Sequence, residues 1–188
     1  MTESKEPDPL IGMVLDGKYR LDRILGIGGM ATVYAATRLQ FGDTVAIKVL
    51  SAEAMQQHQA VKRFEREARA VASIKHPNVI SVYDFGALPD ERAYMVMEYI
   101  RGESLREELK ANGRLTSERA VQVMRAVCAA VQAAHEEGVI HRDLKPENVM
   151  LARHRDGTEI VKVVDFGVAE LHESAAASAM EATLIEWL

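Results

Sequence analysis

Cysteine is nearly absent from this sequence, and so are long apolar runs. The 188 residues contain one cysteine, Cys128, so no disulfide can form within the chain. No short apolar segment with a small-residue cleavage site follows Met1, and no apolar run approaches the ~20 residues that a membrane-spanning helix requires. These absences favour a reducing, cytoplasmic setting and predict no membrane-spanning segment in this chain.

An excess of positive charge is also missing. The formal net charge is -5, with 23 Lys and Arg against 28 Asp and Glu, and the two signs are interspersed. A nucleic-acid partner requires a basic face that neutralises phosphates, so we expect no such partner here. Hydrophobic residues make up 48% of the chain, which is enough to build the core of a globular protein.

Short apolar segments predict an antiparallel sheet in the first half of the chain. Residues 1–16 are charged and broken by prolines, and we interpret them as a flexible leader. One helix interrupts the strands, since Phe64, Ala68 and Val71 keep helical spacing before Pro77 ends the pattern. The predicted strands cover residues 19–25, 32–37, 44–50, 79–85 and 93–99.

A long helix dominates the second half. It begins after Thr116, a good N-cap residue, and ends at Gly138. We therefore predict an α+β fold of two lobes with a cleft between them. Residues 17–100 form an N-terminal lobe with a five-stranded antiparallel sheet and one helix, and residues 101–168 form an incomplete helical C-terminal lobe. The predicted apolar stripe of the long helix contains Val121, Met124, Cys128 and Val131.

A glycine-rich turn, residues 26–31, separates the first two predicted strands. A Rossmann dinucleotide site would need a helix directly after the glycines, so the context disfavours one. Glycines let the backbone approach phosphate oxygens and donate N–H groups to them. Taken alone, an ordinary hairpin turn explains the same residues.

Lys48 lies inside an otherwise apolar strand. A charge there is costly unless an anion meets it, and the candidate anions are nucleotide phosphates and Glu67 on the following helix. The alternative is that Lys48 extends from an edge strand into solvent.

Two polar motifs follow the long helix. In residues 141–148, Asp143 can accept the proton of an attacking hydroxyl, and Lys145 can balance charge on a transferred phosphoryl group. Asn148 offers an oxygen ligand for magnesium, and so does Asp165, which follows an apolar strand. Each motif alone is weak, but their joint order is specific.

These motifs stand in one order along the chain: Gly26-x-Gly28 with Val33, Val45-Ala46-Ile47-Lys48, His141-Arg142-Asp143 with Asn148, and Asp165-Phe166-Gly167. Together they resemble the signature set of protein kinases. The run 145–148 is similar to the serine/threonine class, and the run 28–33 is similar to bacterial members. The resemblance implies transfer of the ATP γ-phosphoryl group to serine or threonine hydroxyls of a protein substrate, with Mg²⁺ as cofactor.

The resemblance also implies roles for individual residues. Lys48 pairs with Glu67 and the ATP phosphates, and Asp143 is the catalytic base. The residues implied in catalysis are Lys48, Glu67, Asp143, Lys145 and Asn148, and those implied in magnesium binding are Asn148 and Asp165.

An adenine pocket is implied in the same way. Met97 is its gatekeeper, and backbone groups of Glu98 and Ile100 hydrogen-bond the base. The residues implied in nucleotide binding are Leu25, Gly26, Ile27, Gly28, Gly29, Met30, Ala31, Thr32, Val33, Ala46, Lys48, Met97, Glu98, Ile100 and Met150.

The sequence departs from the family after the Asp-Phe-Gly motif, where residues 169–188 form an atypical tail without an Ala-Pro-Glu motif. If five apolar side chains of the lower lobe stay exposed, at ~2 kcal/mol each, the loss is on the order of 10 kcal/mol, comparable to the stability of a whole domain. Ala176, Met180, Leu184 and Trp187 lie near one helical face and could cover part of that surface. A truncated activation loop is the other interpretation.

Three interpretations of function remain open from the residues. The first is a serine/threonine protein kinase with intact catalytic machinery. The second is an ATP-binding regulatory module that transfers no phosphate, against which the retained Asp143 and Lys145 argue. The third is a fragment that does not fold independently. The sequence leaves the formation of a homodimer open.

Overall fold

The computed structural model describes residues 8–153 and 156–166, which form two lobes joined by residues 99–101. The upper lobe contains the strands β1 (Val14–Leu15), β2 (Tyr19–Ile27), β3 (Ala31–Arg38), β4 (Asp43–Leu50), β5 (Val82–Ala87) and β6 (Ala93–Glu98). They form one sheet in the order β1-β2-β3-β4-β6-β5, and all neighbours pair antiparallel. The predicted two-lobe α+β fold is confirmed, with β1 as a strand that the sequence did not predict.

Residues 8–16 pack on the upper sheet, whereas the sequence predicted a flexible leader over this stretch. Leu10 and Leu15 are buried beside the sheet residues, and the Tyr34 hydroxyl donates to Asp8 at 2.8 Å. Two buried leucines supply enough apolar contact to hold this polar stretch in place. Residues 1–7 of the predicted leader lie outside the described residues.

Two helices complete the upper lobe, α1 (Ala52–Met55) and α2 (His58–Ser73). The Ser51 side chain caps α1 by accepting a hydrogen bond from the Ala54 amide at 3.1 Å. The helix predicted from the 3.6-residue period is α2, and Phe64, Ala68 and Val71 are buried as expected. This face holds α2 against the sheet.

The described part of the lower lobe contains a small antiparallel sheet, two α-helices and a 3₁₀ helix at Pro146–Asn148. Its elements are β7 (Gly102–Ser104), α3 (Leu105–Asn112), α4 (Ser117–Glu136), β8 (Val149–Arg153) and β9 (Glu159–Val163), with strand order β7-β8-β9. Helix α3 was not predicted from the sequence. Its signal was present, because Ser104 and Glu107 form a capping box in which each side chain bonds the other's backbone N–H.

The ends of α4 agree with the sequence, but its buried face does not. Thr116 caps the helix, and Gly138 has a positive φ of 72° just beyond its end. The buried residues are Val123, Val127, Ala130 and Ala134, whereas the predicted stripe residues Val121, Met124 and Cys128 are exposed and Val131 is half-buried. The prediction was wrong because α4 is apolar on two faces, and the face with the smaller residues packs against β9. No helix in the described part of the chain is long and apolar enough to cross a membrane.

Candidate active site

A cavity of about 470 Å³ lies between the lobes. This volume is in the usual range for a small-molecule site. Sheet residues line it from above, the connection 99–101 closes one side, and the β8–β9 hairpin lies below. The predicted nucleotide-binding residues that line it are Leu25, Gly26, Val33, Ala46, Met97, Glu98, Ile100 and Met150.

Several lining residues were not predicted. Ile80 and Val164 are examples, and each had a signal in the sequence: Ile80 lies in a predicted strand, and Val164 directly precedes Asp165. Of the predicted nucleotide-binding residues, 27–32 and Lys48 do not line the cavity. The other lining residues that sequence reasoning missed are Arg23, Tyr99, Gly102, Glu107 and Glu147.

Residues 27–32 instead form the tip of the β2–β3 hairpin. The Gly28 amide donates to the Ala31 carbonyl at 2.9 Å, and a Cβ added at Gly29 would meet no atom within 4 Å. The backbone of this turn is therefore open to a ligand. Ala31, where the kinase pattern has a third glycine, does not have a positive φ. Alanine is therefore unstrained there.

Lys48 is held by two carboxylates. Its Nζ lies 3.1 Å from Glu67 Oε1 on α2 and 2.9 Å from Asp165 Oδ1 after β9. The Lys48 side chain is 16% exposed and that of Glu67 13%. Lys48 does not extend into solvent, so the structure supports the ion-pair interpretation over the alternative.

Burial and charge act against each other in this cluster. Burial lowers the pKa of Lys48, but the charges of Asp165 and Glu67 outweigh it, so the pKa lies above its ordinary value. Burial raises the pKa of Glu67, and Lys48 offsets only part of that rise. The ammonium group is therefore charged at neutral pH and is available to an incoming anion.

A second lysine–carboxylate pair lies in the loop after α4. Lys145 Nζ donates to Asp143 Oδ2 at 2.6 Å, and Asn148 Nδ2 donates to the Asp143 carbonyl at 2.8 Å and to Oδ2 at 3.2 Å. The hydrogen bond from Lys145 holds the pKa of Asp143 below its ordinary value. Asp143 is therefore an ionised, exposed carboxylate.

The register of β8 and β9 brings Asn148 and Asp165 to the same end of the hairpin. Val149 pairs with Val163, so Asn148 before β8 lies beside Val164 after β9, and the Val164 amide donates to the Asn148 carbonyl at 2.9 Å. This strand pairing brings the two residues implied in magnesium binding to one end of the hairpin.

Buried His141 anchors the loop to the residues around Asp165. Its Nε2 lies 3.0 Å from the Val164 carbonyl, and its ring lies 4.6 Å from that of Phe166. Burial lowers the pKa of His141, so the imidazole is neutral at physiological pH. Arg142 and Asp165 both have a positive φ, at 60° and 51°, and this backbone conformation marks both motifs as constrained.

The donor set fits magnesium bound together with phosphate. Within residues 8–153 and 156–166, no cluster of three or more His, Cys, Asp or Glu side chains forms a metal site by itself. Mg²⁺ is typically bound by one or two protein oxygen ligands plus substrate phosphates. Because Asn148 uses its amide nitrogen on Asp143, its side-chain oxygen is the atom left for a cation. Gly167 and the tail 169–188 lie outside the described residues.

Comparisons with known proteins agree with this geometry. The model of the protein kinase domain family matches residues 19–185. The chain is 40% identical over 169 residues to the serine/threonine-protein kinase pkn3 of Myxococcus xanthus, covering 90% of this chain and 31% of that protein. It is 39% identical over 160 residues to the serine/threonine-protein kinase PrkC of Bacillus subtilis, covering 85% and 24%. The chain thus spans about a quarter to a third of the length of these relatives.

A solved structure is similar in fold as well. The PknI kinase domain of Mycobacterium tuberculosis matches with a TM-score of 0.72 and 30% sequence identity, over 85% of this chain and 63% of that chain.

Proposed function

This chain belongs to the protein kinase domain family, and on that basis we propose that it transfers the γ-phosphoryl group of ATP to serine or threonine hydroxyls of a protein. One observation carries the proposal: Lys48, Glu67 and Asp165 form one cluster, and the hydrogen bond from the Val164 amide to the Asn148 carbonyl joins it to the loop that holds Asp143 and Asn148. The first group suits phosphate binding, and the second suits proton transfer.

Nucleotide binding uses the cavity and Lys48. The adenine ring lies between Val33 and Ala46 above and Met150 below, and backbone groups of Glu98 and Ile100 hydrogen-bond its edge. Lys48 reaches the phosphates from the buried end of the cleft, and Glu67 keeps its ammonium group in place.

Phosphoryl transfer uses the exposed loop. The substrate hydroxyl oxygen forms a bond to the γ-phosphorus while the bond from that phosphorus to the β–γ bridging oxygen breaks, which leaves ADP. Asp143 orients the hydroxyl and accepts its proton, because its lowered pKa keeps it ionised. Lys145, 2.6 Å from Asp143, places a positive charge beside the transferred group. An ATP-binding regulatory module would need neither residue, so their retention favours the enzyme.

Asn148 and Asp165 would hold Mg²⁺ in this proposal. The ion neutralises charge on the phosphate oxygens when it is bound. Asp165 also contacts Lys48 at 2.9 Å, so the metal ligand and the phosphate-binding lysine are positioned by one interaction.

We also propose a cytoplasmic setting, where ATP is supplied, and a homodimer formed through the upper lobe. Arg38 lies 4.5 Å from the ring of Phe41 and 6.0 Å from that of Tyr83, and both aromatic side chains are exposed. Exposed aromatic residues such as Phe41 and Tyr83 are enriched in protein interfaces, and the proposed interface uses these two rings. Light scattering of the chain and of Phe41→Ser tests this, and a monomeric parent chain would contradict it.

Transfer of radiolabelled phosphate tests the proposed activity. The purified 188-residue chain is incubated with magnesium, γ-labelled ATP and casein as an acceptor rich in serine and threonine. We expect label on serine and threonine, lost in Asp143→Asn. If the chain binds ATP but never transfers label, the enzyme proposal fails and the regulatory module takes its place.

A further inference from the structure

Lys162 is a buried charged residue with no place in the mechanism above. Within the described residues, the buried polar or charged residues are His141, Asn148 and Lys162, and the first two belong to the catalytic loop. Burial of an ammonium group is costly unless it is paired and hydrogen-bonded. The contacts of Lys162 are therefore informative.

The partner of Lys162 is the side chain of Glu98, at the end of β6. Lys162 Nζ lies 2.8 Å from Glu98 Oε2 and 3.4 Å from the Val79 carbonyl. Glu98 Oε2 also accepts a hydrogen bond from the Ser81 amide at 3.3 Å. The side chains are 10% and 24% exposed, so water weakens this pair less than it weakens a surface pair.

Backbone hydrogen bonds surround the Lys162–Glu98 pair. Residues 78–81, which connect α2 to β5, lie between β9 and the end of β6. The Ile80 amide donates to the Val163 carbonyl at 3.1 Å, and the Val163 amide donates to the Asn78 carbonyl at 2.8 Å. The Glu98 amide donates to the Ser81 carbonyl at 2.9 Å. The pair thus lies in a hydrogen-bonded layer formed by residues 78–81, β9 and the end of β6. This layer joins residues 99–101, which connect the two lobes, to β9, the strand before Asp165.

We propose that the Lys162–Glu98 pair is a positioning device for the nucleotide site. Glu98 carries the backbone that binds adenine, and Lys162 lies three residues before Asp165, at the phosphate end of the cleft. A buried ion pair favours one geometry over others. This pair therefore fixes the distance between the adenine end and the phosphate end of the nucleotide site. Without the ion pair, the binding of nucleotide has to order both ends of the site. This ordering costs free energy, so the affinity for nucleotide falls. This inference rests on the proposed function.

Three variants test the pair. Lys162→Met keeps the aliphatic stem and removes the charge, Glu98→Gln keeps the shape and a hydrogen-bond acceptor, and the exchanged pair Lys162→Glu with Glu98→Lys restores opposite charges. The matched control is Arg38→Met, which breaks the exposed Arg38–Asp43 pair of the same sheet, 2.6 Å long. The exchanged pair also keeps the test informative if Lys162→Met unfolds, which a thermal melt detects.

Two readouts separate positioning from general stability. For Lys162→Met we expect the KM for ATP and the Kd of a fluorescent ADP analogue to rise about tenfold, with kcat changed less than about twofold. The exchanged pair should recover part of the affinity, and Arg38→Met should change neither constant. An unchanged Kd, or an equal rise in Kd for Arg38→Met, overturns the inference.

Hydrogen exchange without nucleotide distinguishes this inference from the proposed function. We expect Lys162→Met to speed exchange of the Glu98 and Val163 amides, because the pair holds the layer that contains both. If the parent chain binds no adenine nucleotide, the proposed function fails, and the exchange rates still decide whether the pair links the two segments. If the Glu98 and Val163 amides of Lys162→Met exchange as slowly as those of the parent chain, the ion pair does not link the two segments.

Discussion

The two lysine–carboxylate clusters of the cleft have similar distances and different surroundings. Lys48 meets Glu67 and Asp165 at 3.1 and 2.9 Å from three separate elements, and Lys48 and Glu67 are 16% and 13% exposed while Asp165 is 47% exposed. Lys145 meets Asp143 at 2.6 Å within one loop, with the two side chains 47% and 53% exposed. A short distance therefore does not decide what an ion pair contributes. The buried cluster joins elements and contributes to stability, and the exposed pair is free to act on a substrate.

Asp143→Asn should have the largest effect on activity. Removal of the proton acceptor lowers kcat by roughly 10² to 10⁴, the usual contribution of a general base. The midpoint of thermal unfolding should not change, because Asp143 is exposed and contacts only its own loop. Labelled phosphate transfer and a thermal melt on the same sample check both parts. A large fall in the midpoint would show that the exposed Asp143–Lys145 pair contributes to stability, as the buried cluster does.

Lys48→Met should have the largest effect on stability. The change leaves the buried Glu67 carboxylate without its cation, and breaking a buried pair costs about 3 kcal/mol of unfolding free energy. The Asp165 carboxylate also loses its cation, but it is 47% exposed, so water solvates it. Urea unfolding measures the loss, with Lys48→Arg as the control that keeps the charge. Equal stability of Lys48→Met and the parent chain would mean that the cluster contributes nothing to the fold.

Lys145→Met should have a smaller effect, confined to turnover. We expect kcat to fall about tenfold, less than for a donor in a water-excluded site, because water screens this charge. The free energy of unfolding should be unchanged in the same urea experiment. A loss of stability as large as that of Lys48→Met would contradict the distinction between the two clusters.

The pH dependence of Lys48→Met should be the smallest effect. Burial holds the pKa of Glu67 above its unfolded value, and Lys48 opposes that rise. Without Lys48, the folded protein binds a proton at Glu67 more readily than the unfolded chain, so acidification favours the folded state until the pH reaches the unfolded pKa. The raised pKa of Lys48 adds stability that is lost only at alkaline pH, so it is constant over this window.

Unfolding of the parent and Lys48→Met at about pH 8 and about pH 5.5 measures this difference. The stability gap between them should narrow at the lower pH. The stability gap between Arg38→Met and the parent chain should not narrow, because Asp43, the partner of Arg38, is an exposed carboxylate. A gap that widens on acidification would reverse the assignment of Glu67.

The sequence predicted which polar side chains meet in the cleft, because several of them flank strand ends. Asn148 and Asp165 stand beside β8 and β9, so pairing of the two strands was enough to bring them together. Lys48 was predictable for a different reason, since a lysine in an apolar strand needs an anion. These predictions used local chemistry and the joint order of the motifs, whereas the strand that pairs with β9 was not predicted.

Other features depended on contacts that no local pattern contains. The buried face of α4 was misread because Met124 and Val127 are both apolar, and only the position of β9 decides which one is covered. The packing of residues 8–16 depends on Leu10 fitting a site formed by several strands. The Lys162–Glu98 pair likewise requires residues 64 positions apart to meet in a buried layer.

The most direct test is the shift in thermal unfolding that excess Mg-ATP causes in the parent chain, Lys48→Met and Asp143→Asn. If the buried cluster binds the nucleotide and the exposed pair performs the chemistry, ATP raises the midpoint of the parent and of Asp143→Asn by the same amount and leaves Lys48→Met unchanged. The contradicting result is that ATP raises none of the three midpoints, or raises that of Lys48→Met as much as that of the parent. Either result would mean that the buried cluster does not bind the nucleotide.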